Sequence, residues 1–140
     1  MLLIDEIVSQ NEGRIVTRSH ITADNVFYVP GRGIPSYVGF EMMAQSISAQ
    51  DGCLRRESGE APAIGLLLGC RKYSTSRDWF ADGETLETEA VPLLNEGEMR
   101  SFECRVRTLA GQELAHGVIN VFRPSDPDAF LAQMKADHAR

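Results

Sequence analysis

Apolar and polar residues exchange places in two rhythms along this chain, one of period two and one of helical period. Residues 2–9 open apolar and read as a strand, Asn11-Glu12-Gly13 as a hairpin turn in which Gly13 can take positive φ, and residues 14–21 as the returning strand. Four more strands are predicted after residue 60. Residues 63–74 are partly a continuous apolar run, and residues 84–94 set Glu87 and Glu89 against Leu86, Thr88 and Ala90. Residues 101–107 alternate most cleanly, with Phe102, Cys104 and Val106 opposite Ser101, Glu103, Arg105 and Arg107, and residues 112–123 close the set after Gly111. Period two with one apolar face predicts an antiparallel sheet.

Between these strands lies one long helical segment. Residues 22–35 hold Asp24-Asn25, Pro30, Gly31 and Gly33, a stretch of backbone breakers that delivers the chain to a helix start. Ser36 after Pro35 reads as the N-cap, and Ser58-Gly59 followed by Pro62 supplies the stop, so a helix is predicted over residues 36–57. Phe40, Met43, Ala44, Ile47 and Leu54 make one apolar stripe, the expected core face. Tyr37, Glu41, Gln45, Ser48 and Gly52 make a second, and Met42, Ser46, Ala49 and Cys53 a third that is small rather than charged. A helix this apolar or small around its first four turns is expected to be wrapped by the rest of the fold. Glu41 stands out in it, because a buried charge loses several kcal/mol of hydration unless it is paired or protonated.

The chain of 140 residues reads as one α+β domain over residues 1–123, with a tail over 124–140 in which Phe130, Leu131 and Met134 suggest a short amphipathic helix. A net charge of −6 argues against nucleic acid as partner, since phosphate binding calls for a basic surface. Cys53, Cys70 and Cys104 form no Cys-x-x-Cys or Cys/His cluster, so the sequence indicates neither disulfides, nor a metal, nor any other cofactor. Small buried thiols in a reducing cytoplasm are the expectation. Met1 to Ile7 lack the basic flank of a signal peptide, and no run has the length of a membrane span.

Two strands, a wrapped helix and four strands able to curl around it form the order of a hotdog fold. The segments Leu2-Leu3-Ile4-Asp5-Glu6-Ile7, Asn25-Val26-Phe27-Tyr28-Val29-Pro30-Gly31-Arg32, Pro35 to Gln45, Leu68-Gly69 and Asp82-Gly83-Glu84-Thr85-Leu86 resemble the 3-hydroxyacyl-acyl-carrier-protein dehydratases of fatty-acid synthesis. They match in order and nearly in spacing from residue 2 to residue 123. The chain is most similar to the dehydratase-like hotdog proteins of aryl-polyene and related lipid clusters, which share its Phe-Tyr-x-Pro and Pro-x-x-Val-Gly-x-Glu-x-Met-Ala-Gln segments.

The resemblance implies an acyl thioester on a carrier protein, or acyl-coenzyme A, as substrate, and dehydration as the reaction. It puts Glu41 at the family's catalytic carboxylate and Tyr28 where the family carries its catalytic histidine, in a His-Phe-Pro that here is Tyr28-Val29-Pro30. Ser36 replaces the glycine that starts the family's helix, and Gly33-Ile34-Pro35-Ser36 is one residue shorter. The family builds each site across a dimer, histidine from one chain and carboxylate from the other. A homodimer, or a heterodimer with a histidine-bearing hotdog relative, is therefore implied.

The chemistry explains why these groups matter. Dehydrating a 3-hydroxyacyl thioester needs a base for the C2 proton and an acid for the departing C3 hydroxyl, each worth about 10²- to 10⁴-fold when positioned. Helix-start N–H groups near Tyr37, Val38 and Gly39 are candidates to polarise the thioester carbonyl. A Glu41 carboxyl desolvated among Phe40, Met42 and Met43 would hold its proton near neutral pH and serve as the acid. Tyrosine, with an ordinary pKa near ~10, is a poor base at that pH but can donate a hydrogen bond.

Each of these residues also has a structural use open to it. Glu41 can bond to its own helix start, Tyr28 can anchor its loop, and Gln45, one turn after Glu41, can hold that carboxylate or pair across a dimer. Phe27 is expected at the substrate wall, with pocket depth set by how it packs with Leu66, Leu67, Leu68 and Trp79. His20 and His138 read as surface residues and His116 as sharing a strand face with Leu114 and Val118. Arg71, Lys72 and Arg77 are either solvated strand-end charges or contacts for a phosphopantetheine phosphate or the acidic carrier protein. Two other functions fit the pattern: thioester hydrolysis, with one helix carboxylate activating water, and a scaffolding subunit that binds the acyl carrier without chemistry.

Overall fold

The computed structural model describes residues 2–57, 59, 66–122 and 127–138. Six antiparallel strands form the main sheet in the order β1-β2-β6-β7-β8-β4, with β1 Glu6–Asn11, β2 Arg14–His20, β4 Leu66–Thr75, β6 Thr85–Glu96, β7 Met99–Thr108 and β8 Glu113–Phe122. Two-residue strands β3 (Ile34–Pro35) and β5 (Trp79–Phe80) pair beside it. Helix α1 spans Gly39–Glu57 and crosses the sheet's inner face, and α2 covers Pro127–His138. This is the α+β hotdog architecture expected from the alternating strands and the single long helix.

The alternation fixes the two faces of the sheet. Thr88 lies opposite Val106 and Ala90 opposite Cys104, all buried at 1% exposure or less, so their side chains meet α1. On the other face the register sets Arg18 beside Glu87, Glu87 beside Arg107 and Glu89 beside Arg105. Opposite charges at cross-strand neighbours stabilise the pairing by a few tenths to about 1 kcal/mol each. Arg18 Nη2 meets Glu87 at 2.7 Å, and Glu89 is held by both Arg14 and Arg107.

Several local expectations are corrected. Residues 2–5 precede the first strand, whose hairpin turn is closed by the Asn11 Oδ1 accepting from the Gly13 N–H at 2.9 Å. Gly13 is not among the positive-φ residues, because that side-chain bond makes the turn without a left-handed residue. The expected strand over 63–74 begins at Leu66, its first residues lying outside the described set, as does Arg123 of the last strand.

The sheet curls around the helix as expected and leaves the helix's other side open. One sheet covers one side of it, burying Met42, Met43, Ser46, Ile47 and Gln50, while Glu41, Ser48 and Gly52 stay exposed. The core stripe is therefore not the purely apolar one. Ser46 enters it because its hydroxyl bonds Thr17 Oγ1 at 2.9 Å and donates to the Met42 carbonyl at 2.8 Å, and Gln50 because its Nε2 donates to the Asn11 carbonyl at 2.6 Å. Phe40 and Ala44 are half-buried at the margin, and Cys53, expected buried, is half-buried too. The helix ends at Glu57, after which Gly59 takes φ 75° and donates to the Arg56 carbonyl at 3.2 Å. Ser58 and Pro62 of the expected stop lie outside the described residues.

Candidate active site

Glu41 belongs to the first turn of α1, where the helix dipole favours a negative charge. What sets the start of that helix is a close approach of three elements. Ser36–Val38 form a single 3₁₀ turn, the Ser36 N–H donates to the Asp78 carbonyl at 2.9 Å, and the Tyr73 hydroxyl donates to the Ser36 carbonyl at 2.6 Å. A Cβ on Gly39 would stand 2.4 Å from the Tyr73 oxygen and 3.2 Å from the Phe80 ring, so only glycine fits. Ser36 is buried but caps nothing, because its backbone is already part of the 3₁₀ turn.

Glu41 is exposed and borders a cleft of about 290 Å³ walled by Leu3, Phe27, Tyr37, Val38 and Phe40. The desolvation expected from its apolar neighbours is thus not supplied by its own chain, whose sheet takes the opposite side of the helix. Gln45 orients it. The Leu3 N–H donates to Gln45 Oε1 at 2.6 Å, which turns the Gln45 amide nitrogen toward Glu41, where it donates to Oε1 over a long 3.5 Å. Leu3 is a residue sequence reasoning had left out, since only the fold brings the chain start against the helix.

The backbone donors are fewer than expected. The Gly39 N–H donates to the Ser36 carbonyl, as the 3₁₀ pattern requires, so it is not a free group. Tyr37, at the turn's beginning, is the position whose N–H has no partner within the turn.

Tyr28 is not among the residues that line this cleft. Its hydroxyl donates to Asp82 Oδ2 at 2.8 Å, a bond that, with partial desolvation and the carboxylate's charge, raises the phenol above its ordinary pKa. Phe27, one residue earlier, lines the Glu41 cleft. The loop carrying both is fastened to the segment after β5. Gly33 has φ 108° and would place a Cβ 2.0 Å from the Phe80 carbonyl oxygen, and the Arg32 guanidinium lies 5.3 Å from the Trp79 ring centre. Asp82 was visible only as part of a resembling segment; its bond to Tyr28 spans 54 residues of sequence.

The remaining candidates lie elsewhere. Arg77 is held by both oxygens of Glu84 at 2.9 and 2.8 Å, and Lys72 is exposed at a β4 bulge with φ 56°. The side chains of Arg71, Leu66, Leu67, Leu68 and His138 lie outside the described residues. His20 is exposed on Thr85, and His116 sits on the sheet's outer face with Nε2 3.2 Å from Glu103, a bulge in the β7–β8 pairing having turned it from Leu114. No helix of the described residues is long and apolar enough to cross a membrane.

A family model described as ApeP-like, ApeP dehydratase, matches residues 1–132. The chain belongs to the ApeP-like dehydratase family. Among solved structures it is similar to the dehydratase heterocomplex ApeI:P from Xenorhabdus doucetiae, at 26% identity and TM-score 0.82, covering 94% of this chain and 88% of that one. It also shares its fold with AziG from S. sahachiroi, at 14% identity and TM-score 0.66, covering 84% of this chain and 89% of that chain. A hypothetical thioesterase solved with coenzyme A from Streptococcus pneumoniae is similar at 10% identity and TM-score 0.69, with 85% and 84% of the two chains covered. No curated protein matches the chain.

Proposed function

We propose that this ApeP-like chain acts on acyl thioesters as the carboxylate-bearing half of a 3-hydroxyacyl-carrier-protein dehydratase, completed by a histidine-bearing hotdog relative. The observation that carries the reading is a carboxylate beside an apolar cleft in a chain whose Tyr28, standing at the family's histidine position, is engaged by a carboxylate of its own. Glu41 borders that cleft on the open side of α1 beside Gln45, while the Tyr28 phenol donates to Asp82. The similar Xenorhabdus doucetiae structure is itself a dehydratase heterocomplex.

In this reading the partner's imidazole removes the C2 proton of the substrate. Glu41 gives a proton to the C3 hydroxyl, the C3–O bond breaks, a C2–C3 double bond forms and water leaves. The Tyr37 N–H donates to the thioester oxygen as negative charge develops there. Phe27, Val38 and Phe40 supply the apolar wall for the acyl chain. The partner chain, lying over the open side of α1, excludes water from the carboxyl.

One assay tests this: a 3-hydroxyacyl carrier protein offered to this chain alone, to the partner alone and to the two co-expressed. Enoyl product is expected from the pair and little from this chain by itself. Robust dehydration by the isolated chain would overturn the reading, as would release of free thiol, which marks hydrolysis. A partner that works equally well without this chain's Glu41 would make the chain a scaffold.

A further inference from the structure

Residues 2–5 leave the sheet where its pairing would continue. Glu6 lies opposite Arg18 in the antiparallel register of β1 and β2, which would set Ile4 opposite His20. Instead the Asp5 N–H donates to the Arg18 carbonyl at 2.8 Å, and Asp5 Oδ2 accepts the His20 N–H at 2.6 Å. The carboxylate takes the donor that a main-chain carbonyl takes in a ladder, and the pairing stops there. Freed from the sheet edge, the preceding residues turn inward. Leu3 and Ile4 are both buried, at 5% and 7% exposure, although neither belongs to a strand.

The inward turn ends on α1. The Leu3 N–H donates to Gln45 Oε1 at 2.6 Å, so Leu3 is fixed from two sides, by the helix and by Asp5. Its side chain joins the hydrophobic core and lines the Glu41 cleft. Every other residue lining that cleft lies between positions 27 and 41, so Leu3 alone brings a wall from a distant part of the chain. Beyond it, Leu2, Ile4, Gln45, Ser48 and Ala49 border a larger groove of about 510 Å³. Gln45 and Ala49 follow Glu41 by one and two helical turns, so the groove continues from the cleft along the helix axis. Leu3 stands between the two.

We propose that Leu3 is a specificity-determining residue, the wall that ends the Glu41 cleft, and that Asp5 is the residue that positions it. The inference rests on the reading of that cleft as the acyl site. An acyl tail entering past Phe27 and Phe40 meets Leu3, which limits its length. With Leu3 cut back, or its backbone released, the cleft opens into the groove beside Ile4 and Ala49. Asp5 does not line the cleft and acts through Leu3. One methylene more or less in an apolar pocket changes discrimination by about 10- to 200-fold, so a single wall residue suffices to set a preference.

The test compares hexanoyl with dodecanoyl chains on the complex of this chain with its histidine-bearing partner. Turnover is measured on the two 3-hydroxyacyl carrier proteins. Binding is measured with the two acyl-pantetheines that lack the 3-hydroxyl, followed by the Gln45 side-chain amide of the ¹⁵N-labelled chain. The unaltered complex is expected to favour the shorter chain. Leu3→Ala should move the ratio of kcat/KM about tenfold toward the longer one, and Leu3→Phe should move it the other way. Asp5→Ala should act in the direction of Leu3→Ala, whereas Asp5→Asn, which keeps an oxygen for the His20 N–H, should return the original ratio. Asp5 is exposed, so its two variants carry the test even where a Leu3 substitution fails to fold. A purely structural Asp5 would lower the melting temperature and leave the ratio unmoved. That result, an unaltered complex favouring the longer chain, or an unchanged ratio in Leu3→Ala would overturn the inference. Absence of turnover at both lengths would overturn the dehydratase reading instead, and the binding ratio then decides the wall by itself.

Discussion

The Tyr28 hydroxyl donates to Asp82 Oδ2 at 2.8 Å, and this bond decides what position 28 can contribute. A phenol already giving its proton to a carboxylate has only lone pairs left for a substrate. The hydrogen bond, desolvation and the carboxylate's charge all raise its pKa, which moves it further from acting as a base near neutral pH. The pair instead ties the loop bearing Phe27 to the segment after β5.

The consequence is measurable in the titration of Tyr28. Asp82→Asn should bring the phenol midpoint down toward the ordinary value of about 10, read from the Tyr28 ring signals by NMR. Because the folded pKa is raised above the unfolded one, whatever stability the pair contributes is present below the unfolded value. It is lost as pH rises through the folded one. An unchanged midpoint in Asp82→Asn would show that the bond does not form in solution.

Gly39 should resist substitution for a steric reason. In Gly39→Ala the added methyl falls 2.4 Å from the Tyr73 oxygen and 3.2 Å from Phe80, inside the contact that fixes the start of α1. Overpacking of this kind destabilises by about 1–3 kcal/mol, to be read as a lower urea midpoint at unchanged slope. Tyr73→Phe on the Gly39→Ala background removes the clashing oxygen and should recover part of the loss. A neutral Gly39→Ala would mean the contact is looser than its geometry.

Much of this architecture is legible in residue order, and the exceptions share a cause. Leu86, Thr88 and Ala90 against Glu87 and Glu89, and Phe102, Cys104 and Val106 against Arg105 and Arg107, assign their faces because one side of the sheet is buried and the other is wet. The helix stripe departs from its apolar pattern where polarity and burial part company. Ser46 and Gln50 are buried because Thr17 and the Asn11 carbonyl, far away in sequence, satisfy them. Strands β3 and β5 have two residues each, too few for any periodicity. Glu41 was found by its oddness in an apolar helix, but its exposure depends on which side the sheet takes, a property of the whole fold.

Glu89 offers a test of the outer face. Burial pushes its carboxyl up, yet the hydrogen bond from Arg14 and the charges of Arg107 and Arg14 outweigh this and hold it below the usual carboxylate range. With the folded pKa lowered, the contribution is present above the unfolded value near ~4.3 and is lost as pH falls through the folded one. Glu89→Gln should therefore lower stability by about 1 kcal/mol at pH 7 and flatten its decline in the acid limb, measured by denaturant titration across pH. Equal acid sensitivity of the two proteins would contradict the lowered value.

Glu41→Gln separates chemistry from architecture. Glu41 is exposed, and its bond from Gln45 is long at 3.5 Å, so the substitution removes little that holds the fold. Gln45 itself remains anchored by the Leu3 N–H at 2.6 Å whatever stands at position 41. The melting temperature of Glu41→Gln is therefore expected within a degree or so of the unaltered chain, as for surface changes generally. Activity of the complex with a histidine-bearing partner should fall by at least about 100-fold, the loss expected when a positioned acid is removed. Gln45→Leu should behave differently: it leaves the Leu3 N–H without its acceptor and frees the Glu41 side chain, lowering both stability and activity. A Glu41→Gln protein that melts lower but dehydrates normally would make the carboxylate a structural group, and the search for the proton donor would then move to the partner.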